Sequence, residues 1–184
     1  MRRPAIIGPV ADGAGVLATH LGADGSGGDL LKIDAGGSKL PATEETVRDR
    51  LHFIKMEGRE VFKFAVKIQG EAVVKVLESC GIAPEEVDLF VPHQANIRII
   101  ESAAQRLNLP PEKVFINVDK YGNTSAASIP LALDEAYRSG RIKEGDVIVT
   151  VGFFLIETAG GLILLGIGVK ILVEHLSSGV ISIA

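Results

Sequence analysis

The stretch that decides the fold is residues 87–96, with the sequence VDLFVPHQAN. Its short apolar start predicts a buried strand over 87–91, and His93 follows the carboxyl end of that strand. A second apolar stretch, VFINV at 114–118, has the same character and leads to Asn123. Because open α/β sheets bind ligands at the carboxyl ends of their strands, we expect His93 and Asn123 to meet at one edge of a sheet.

The remaining pattern alternates strands with helices. Apolar residues recur at helical spacing over 59–78, and Gly81 is a natural stop for that helix. Further helices are predicted over 97–107, with Ile97 on its apolar face, and over about 124–138. A last strand is predicted over 147–151. This alternation is typical of a layered α/β fold.

The amino-terminal part of the chain is less regular. Short apolar runs predict the end of a strand over 5–10 and a second strand over 16–21. Residues 22–38 are rich in glycine and polar side chains, which indicates a loop.

Composition limits the classes of function. The chain has 184 residues, of which 47% are hydrophobic and 23% charged, as expected of one domain with a sizeable core. A net charge of -4 and the absence of tryptophan argue against nucleic acid as a partner. Cys80 is the only cysteine, so no internal disulfide can form, and a cytoplasmic location is favoured. The four histidines show no metal-site spacing with it, and no metal is predicted.

Residues 153–184 differ in character from the rest. The uncharged stretch over 158–169 is shorter than the roughly 20 residues that a spanning helix needs, so no membrane span is expected. We therefore divide the chain into residues 1–152, which carry the α/β pattern, and an atypical tail at 153–184.

Two interpretations of His93 and Asn123 stay open on the residues alone. An imidazole and a carboxamide aimed at one point can perform acid-base work or stabilise an oxyanion. Equally, His93 can be a hydrogen-bonded histidine at a strand end and Asn123 a helix cap. Cys80 is not a good nucleophile for this pair, because it ends the helix before Gly81, where the helix dipole disfavours a thiolate. It is expected to be a small buried apolar residue.

Five motifs resemble β-ketoacyl-acyl-carrier-protein synthase III. The two most specific are VPHQANIRII at 91–100 and YGNTSAAS at 121–128. The others are THLGADG at 19–25, GREVFK at 58–63 and ALDEA at 132–136. The resemblance runs from about residue 5 to residue 152.

The resemblance implies the thiolase-like fold, in which two similar α/β halves pack together, and this chain would be the C-terminal half. It also implies an acyltransferase that begins fatty-acid biosynthesis. In that family a cysteine takes an acyl group from acyl-CoA, and malonyl-acyl-carrier protein loses carbon dioxide and attacks the thioester. Acyl-CoA is a substrate, and no cofactor is implied.

The resemblance also assigns roles to residues. His93 and Asn123 match the family's catalytic histidine and asparagine, which stabilise the thioester carbonyl as it becomes an enolate. The acyl-carrier contact is carried onto Gln94, Ala95, Asn96, Ile97 and Arg98. The pantetheine tunnel is carried onto Gly58, Phe62, Ala95 and Asn96.

Two departures from the family qualify these roles. The family's N-terminal half, with its nucleophilic cysteine, has no counterpart in this sequence, so the chain alone is expected to be inactive. From Phe154 onward the tail is expected to match nothing in the family. The alternative function is a non-catalytic remnant that at most binds an acyl carrier or a partner subunit. Family members form homodimers through the half that is not matched, so pairing of this chain is left open.

Charge favours an acidic protein partner. Residues 47–67 contain six cations against three carboxylates, a net charge of +3 on a chain whose total is -4. The stretch includes the GREVFK motif. It can be a basic rim for the acyl carrier or an ordinary solvated helix face.

Overall fold

A computed structural model describes residues 14–152 and, for their backbone alone, residues 169–172. Its main sheet has four strands, which occur along the chain as β1 (Gly15–Val16), β4 (Leu89–Pro92), β5 (Ile148–Val151) and β6 (Val169–Leu172). Their order across the sheet is β1-β6-β5-β4. β4 and β5 are parallel, whereas β6 is antiparallel to both β5 and β1. A separate antiparallel pair joins β2 (Leu31–Lys32) to β3 (Lys55–Met56).

Five α-helices lie in the described residues. They are α1 (Glu44–Arg48), α2 (Gly58–Cys80), α3 (Ile97–Arg106), α4 (Val118–Tyr121) and α5 (Ser128–Arg138). Short 3₁₀ turns lie at Gly25–Leu30, Pro84–Glu86, Pro111–Lys113 and Ser125–Ala127.

The sheet lies between two helical layers. On one face, Phe90 and Val149 pack with buried residues of α2 and α3. On the other face, Leu89 and Ile148 pack with buried residues of α5. Successive residues of β4 and β5 thus pack against opposite helical layers, as the two-residue period of a strand requires. The predicted layered α/β fold is confirmed.

The helix predicted over 59–78 is α2. Its buried face carries small and β-branched side chains, among them Ala65, Val73 and Val76. Gly81 ends it in the left-handed conformation, with φ 66° and ψ 29°. The backbone N–H of Ile82 then donates to the carbonyl of Leu77, which satisfies one of the last carbonyls of the helix.

The strand predicted over 114–118 is wrong beyond its first residues. Val114 makes one parallel bridge to Phe90, and the N–H of Phe115 donates to the carbonyl of Phe90. The backbone then turns away, and α4 begins at Val118. The backbone groups that a longer strand would have paired with β4 instead bond to the Gln94 side chain. The N–H of Asn117 donates to its amide oxygen, and the carbonyl of Phe115 accepts from its amide nitrogen.

Several smaller expectations also need correction. The strand predicted over 16–21 is limited to Gly15–Val16, and the loop predicted over 22–38 contains both a 3₁₀ turn and β2. The helix predicted from about residue 124 begins as the turn Ser125–Ala127 and becomes α-helical at Ser128. Ile97 is 46% exposed rather than part of the core.

The remaining predicted elements lie partly or wholly outside the described residues. The strand predicted over 5–10 lies outside them, as does most of the tail. Within the tail, the backbone of residues 169–172 forms β6, in the middle of the sheet.

Candidate active site

His93 lies at the carboxyl end of β4, as predicted. Its backbone N–H donates to the carbonyl of Val151 at 2.7 Å, which continues the pairing of β4 with β5 by one residue. The side chain is only 4% exposed. Burial lowers the pKa of His93 below the usual value for imidazole, because the charged ring loses hydration. The neutral ring therefore predominates at neutral pH.

Ser128 links the His93 segment to α5. The hydroxyl oxygen of this buried serine lies 2.5 Å from Nδ1 of His93. The same oxygen accepts the backbone N–H of Gln94 at 3.2 Å. The first residue of α5 therefore holds both the ring and the backbone just after β4.

The Gln94 side chain is buried and fixes the turn after β4. Its amide nitrogen donates to the carbonyls of Pro92 at 2.8 Å and Phe115 at 3.2 Å. Its amide oxygen accepts the N–H of Asn117 at 2.9 Å. With 1% of its surface exposed, Gln94 does not offer its side chain to a protein partner in this structure. The place of Gln94 in the carrier-contact segment stays a prediction; in this structure its side chain fixes the shape of that segment.

A polar chain extends from Gln94 toward the surface. The side-chain amide of Asn117 donates to Glu135 on α5 at 2.9 Å. Glu135 also forms an ion pair with Lys120. The Lys120 ammonium, and after it the Asn117 amide, lower the pKa of Glu135. These contacts tie α4 and α5 to the end of the sheet.

Asn123 lies in an exposed loop between α4 and α5. Its side-chain oxygen accepts the N–H of Ser125 at 3.0 Å. Gly122 has φ 66° and ψ -165°, a conformation essentially restricted to glycine. Ser125 is one of three non-glycine residues with positive φ among the described residues, at 52°. The loop then enters α5, whose first residue bonds to His93, so the two predicted catalytic segments are in contact through Ser128. That the two side chains converge on one atom stays a prediction.

The residues assigned to carrier and tunnel lie at two helix starts. At α3, the Asn96 side chain caps the helix by accepting the N–H of Arg98 at 2.9 Å. Ile97 and Arg98 are exposed beside it, and Ala95 is half-buried. At α2, Gly58 is exposed and Phe62 is half-buried.

The expected basic rim is partly neutralised. Lys63 pairs with Glu60 and Lys55 with Asp34, while Arg48 lies close to both Glu45 and Asp49. Two of these carboxylates, Asp34 and Glu45, lie outside residues 47–67, so the net charge of that stretch overstates its local field. The guanidinium of Arg50 lies 4.9 Å from the centre of the Phe53 ring.

Cys80 is a free thiol at the last residue of α2. It is half-buried rather than fully buried, so it is not the core residue that was expected. Within residues 14–152, no group of histidine, cysteine and acidic side chains could hold a metal ion. No described helix is long and apolar enough to cross a membrane.

Sequence reasoning missed Ser128 and Asn117 as parts of the site. Both lie in or beside motifs that carried the resemblance, but nothing in the spacing shows that their side chains reach His93 or Glu135. In the structure α5 begins at Ser128 rather than at Thr124, and the hydroxyl of this first residue reaches the His93 ring.

The chain is similar to synthase III proteins over most of its length. Residues 77–165 match the family described as 3-oxoacyl-[acyl-carrier-protein] synthase III C terminal. This match continues past Phe154, where family likeness was expected to end. A β-ketoacyl-[acyl-carrier-protein] synthase III from Caldanaerobacter subterraneus is 60% identical over 149 residues, which cover 81% of this chain and 45% of that protein. The chain thus spans about half the length of the curated relatives it matches.

Solved structures of the same kind are similar in fold. The synthase III of Thermus thermophilus superposes with a TM-score of 0.73 at 43% identity, covering 89% of this chain and 48% of that one. The synthase III of Aquifex aeolicus gives a TM-score of 0.72 at 42% identity, covering 88% of this chain and 46% of that one. The fold is therefore thiolase-like.

Proposed function

Because this chain belongs to the β-ketoacyl-acyl-carrier-protein synthase III family, of which it represents the C-terminal half, we propose that it supplies the enolate-stabilising pair of a condensing acyltransferase. The reaction begins fatty-acid biosynthesis by joining an acyl group from acyl-CoA to malonyl-acyl-carrier protein. His93 and Asn123 donate hydrogen bonds to the malonyl thioester oxygen. The observation that carries this proposal is the contact between the segment after β4 and the segment that leads from Asn123 into α5, made where Ser128 meets the His93 ring.

The chemistry needs hydrogen-bond donors more than it needs a base. When malonyl thioester loses carbon dioxide, the electrons of the broken carbon–carbon bond move onto the thioester oxygen and form an enolate. The enolate carbon then attacks the acyl thioester carbonyl, and the cysteine thiolate leaves. A buried, neutral imidazole N–H and a carboxamide N–H both stabilise the enolate oxygen without taking a proton.

The carrier would approach across the start of α3. Asn96, Ile97 and Arg98 are exposed there, and Arg98 brings a cation that suits an acidic carrier or a phosphate of its arm. Gly58 and Phe62 at the start of α2 would line the passage for the pantetheine arm, together with Ala95. The contribution of Gln94 is indirect, through the shape of the turn that its amide holds.

A chimera tests the catalytic part. Residues 14–152 of this chain replace the corresponding part of the Caldanaerobacter synthase, and malonyl-carrier decarboxylation and condensation are measured. His93→Ala and Asn123→Ala should each lower the decarboxylation rate by about 10²–10³-fold, the usual cost of one oxyanion donor. Gln105→Ala, which removes an exposed carboxamide on α3, should have no effect. A folded chimera that shows no activity would favour the non-catalytic alternative.

The same chimera tests the carrier surface. Arg98→Glu should slow association with the carrier, and the difference should shrink as salt screens the charges. Lys75→Glu is the matched control, because this exposed lysine lies on α2 about 25 Å along the helix from Gly58, at 1.5 Å per residue. Equal association rates for the two variants at low salt would remove Arg98 from the proposed interface.

A further inference from the structure

Ser128 is the buried group in closest contact with the His93 ring among the contacts described above. It is the first residue of α5, 2% exposed, and its hydroxyl oxygen lies 2.5 Å from Nδ1. Neither the motif spacing nor the role of the His93–Asn123 pair requires a serine at this point. The contact nevertheless bears on which ring nitrogen of His93 carries the proton.

The bonding of the hydroxyl constrains the direction of its own proton. The oxygen of Ser128 already accepts the backbone N–H of Gln94 at 3.2 Å, so the hydroxyl proton is free to point at another acceptor. Among the described residues, Nδ1 of His93 is the acceptor that this buried hydroxyl meets, and a buried donor left without a partner costs about 1–3 kcal/mol. A proton on Nδ1 would leave the hydroxyl proton without this acceptor, so the arrangement favours the hydroxyl of Ser128 as the donor and Nδ1 as the acceptor.

We propose that Ser128 is a positioning residue that donates its hydroxyl proton to Nδ1 of His93 and thereby fixes the ring in the tautomer with the proton on Nε2. The start of α5 adds to this effect, because the positive end of a helix disfavours a second proton on the ring beside it. His93 then presents Nε2–H as a hydrogen-bond donor.

The consequence for catalysis rests on the proposed function. An enolate oxygen needs a donor, and the tautomer with Nε2–H supplies one. The opposite tautomer would present a lone pair to the developing negative charge, which is repulsive. Ser128 would therefore control catalysis without touching the substrate.

Nitrogen NMR of the 184-residue chain tests the tautomer directly. The chain is labelled with ¹⁵N-histidine, the His93 signals are assigned by their loss in His93→Gln, and spectra are recorded near pH 8, where imidazoles are neutral. We expect Nε2 of His93 to show the shift of a protonated ring nitrogen and Nδ1 that of an unprotonated one. In Ser128→Ala the ratio should move by about 10-fold toward the Nδ1–H form, the size expected for loss of one net hydrogen bond.

Two further variants separate tautomer control from general damage. Ser128→Thr keeps a hydroxyl and should keep the Nε2–H form. Ser139 lies just after the other end of α5, and its hydroxyl donates to the carbonyl of Ala136. Ser139→Ala should leave the His93 signals unchanged. A wild-type spectrum with the proton on Nδ1 would overturn the proposal whether or not Ser128→Ala folds. So would an unchanged tautomer in folded Ser128→Ala.

The outcome is independent of the catalytic proposal, because the spectra need no substrate. If the tautomer is as expected and the chimera is inactive, the proposed function fails while the role of Ser128 stands. If the chimera is active and His93 carries its proton on Nδ1, the proposed role of Ser128 fails while the proposed function stands.

Discussion

The two segments that carry His93 and Asn123 look alike in sequence but are built differently. The first follows a fully buried four-residue strand. Its backbone bonds to β5, and its side chains bond to α5 and to the 114–117 segment. The second lies in an exposed loop whose shape depends on unusual backbone angles at Gly122 and Ser125. One half of the candidate site is thus fixed by buried polar contacts and the other by local conformation.

The difference predicts where each half is vulnerable. Loss of one buried polar group leaves its partners unpaired, at a cost of about 1–3 kcal/mol for each. A loop held by backbone angles is sensitive instead to substitutions that cannot adopt those angles. The two halves should therefore respond to different kinds of change.

The largest effect is expected at Gln94. Gln94→Leu would leave the Asn117 N–H and the carbonyls of Pro92 and Phe115 without the amide that now pairs with them, and should destabilise the chain by about 3 kcal/mol or more. Gln69→Leu is the matched control, since Gln69 is equally buried but its amide has no hydrogen-bond partner among the described residues. It should be neutral or stabilising. Urea unfolding compares the two, and equal losses would contradict the account of the first segment.

A smaller effect is expected at Gly122. Gly122→Ala should cost about 2–3 kcal/mol, because alanine does not adopt φ 66° with ψ -165° without strain. Gly81→Ala shares the φ of 66° and also has no atom within 4 Å of the added methyl carbon, but its ψ is 29°. It should cost only about 1–2 kcal/mol, the usual left-handed penalty. The two losses are compared by thermal or urea unfolding. A larger loss of stability in Gly81→Ala than in Gly122→Ala would show that the loop does not depend on this conformation.

The predictability of the two segments follows from the same contrast. β4 and α2 were predicted to within about two residues, because their apolar periodicity is strong and Gly81 marks the end of the helix. The strand expected over 114–118 failed because the side chain of Gln94, distant in sequence, takes its backbone partners. Apolar periodicity indicates which residues of a segment pack against the core. It does not indicate whether a distant side chain, rather than a neighbouring strand, will pair with the backbone of that segment.

The site shows the same limit at the level of single residues. His93 lies at a strand end as predicted, because that strand end is visible in the sequence. Asn123 was expected directly after a second strand, but α4 lies between the apolar run at 114–118 and the loop that carries it. Ser128 was not identified, since its role depends on where α5 begins and on a contact across 35 residues. From the sequence alone, a serine at this position is explained equally well as a helix cap.

The buried half should also make stability depend on pH. Burial lowers the pKa of His93 in the folded chain, so between that value and the unfolded value near 6.5 the unfolded state binds more protons. The stability linked to His93 is therefore complete above about pH 6.5 and falls as the pH drops toward the folded pKa, by at most about 1.4 kcal/mol per pH unit. His93→Gln should remove this component from the pH dependence of the unfolding midpoint. An unchanged pH profile in that variant would mean that the ring ionises equally in both states.

The smallest effect on stability is expected at Asn123, in the exposed half. Asn123→Ala loses one exposed hydrogen bond to the N–H of Ser125 and should cost less than about 1 kcal/mol. Asn123→Asp keeps an oxygen that can accept that N–H, so it should be close to neutral for stability, but it removes the amide donor. In the chimera, both variants should nevertheless lose decarboxylation activity, because the proposed role of Asn123 depends on its N–H rather than on its oxygen. An Asn123→Asp chimera that keeps full activity would leave Asn123 with only its turn-forming role, and the enolate would then depend on His93 alone.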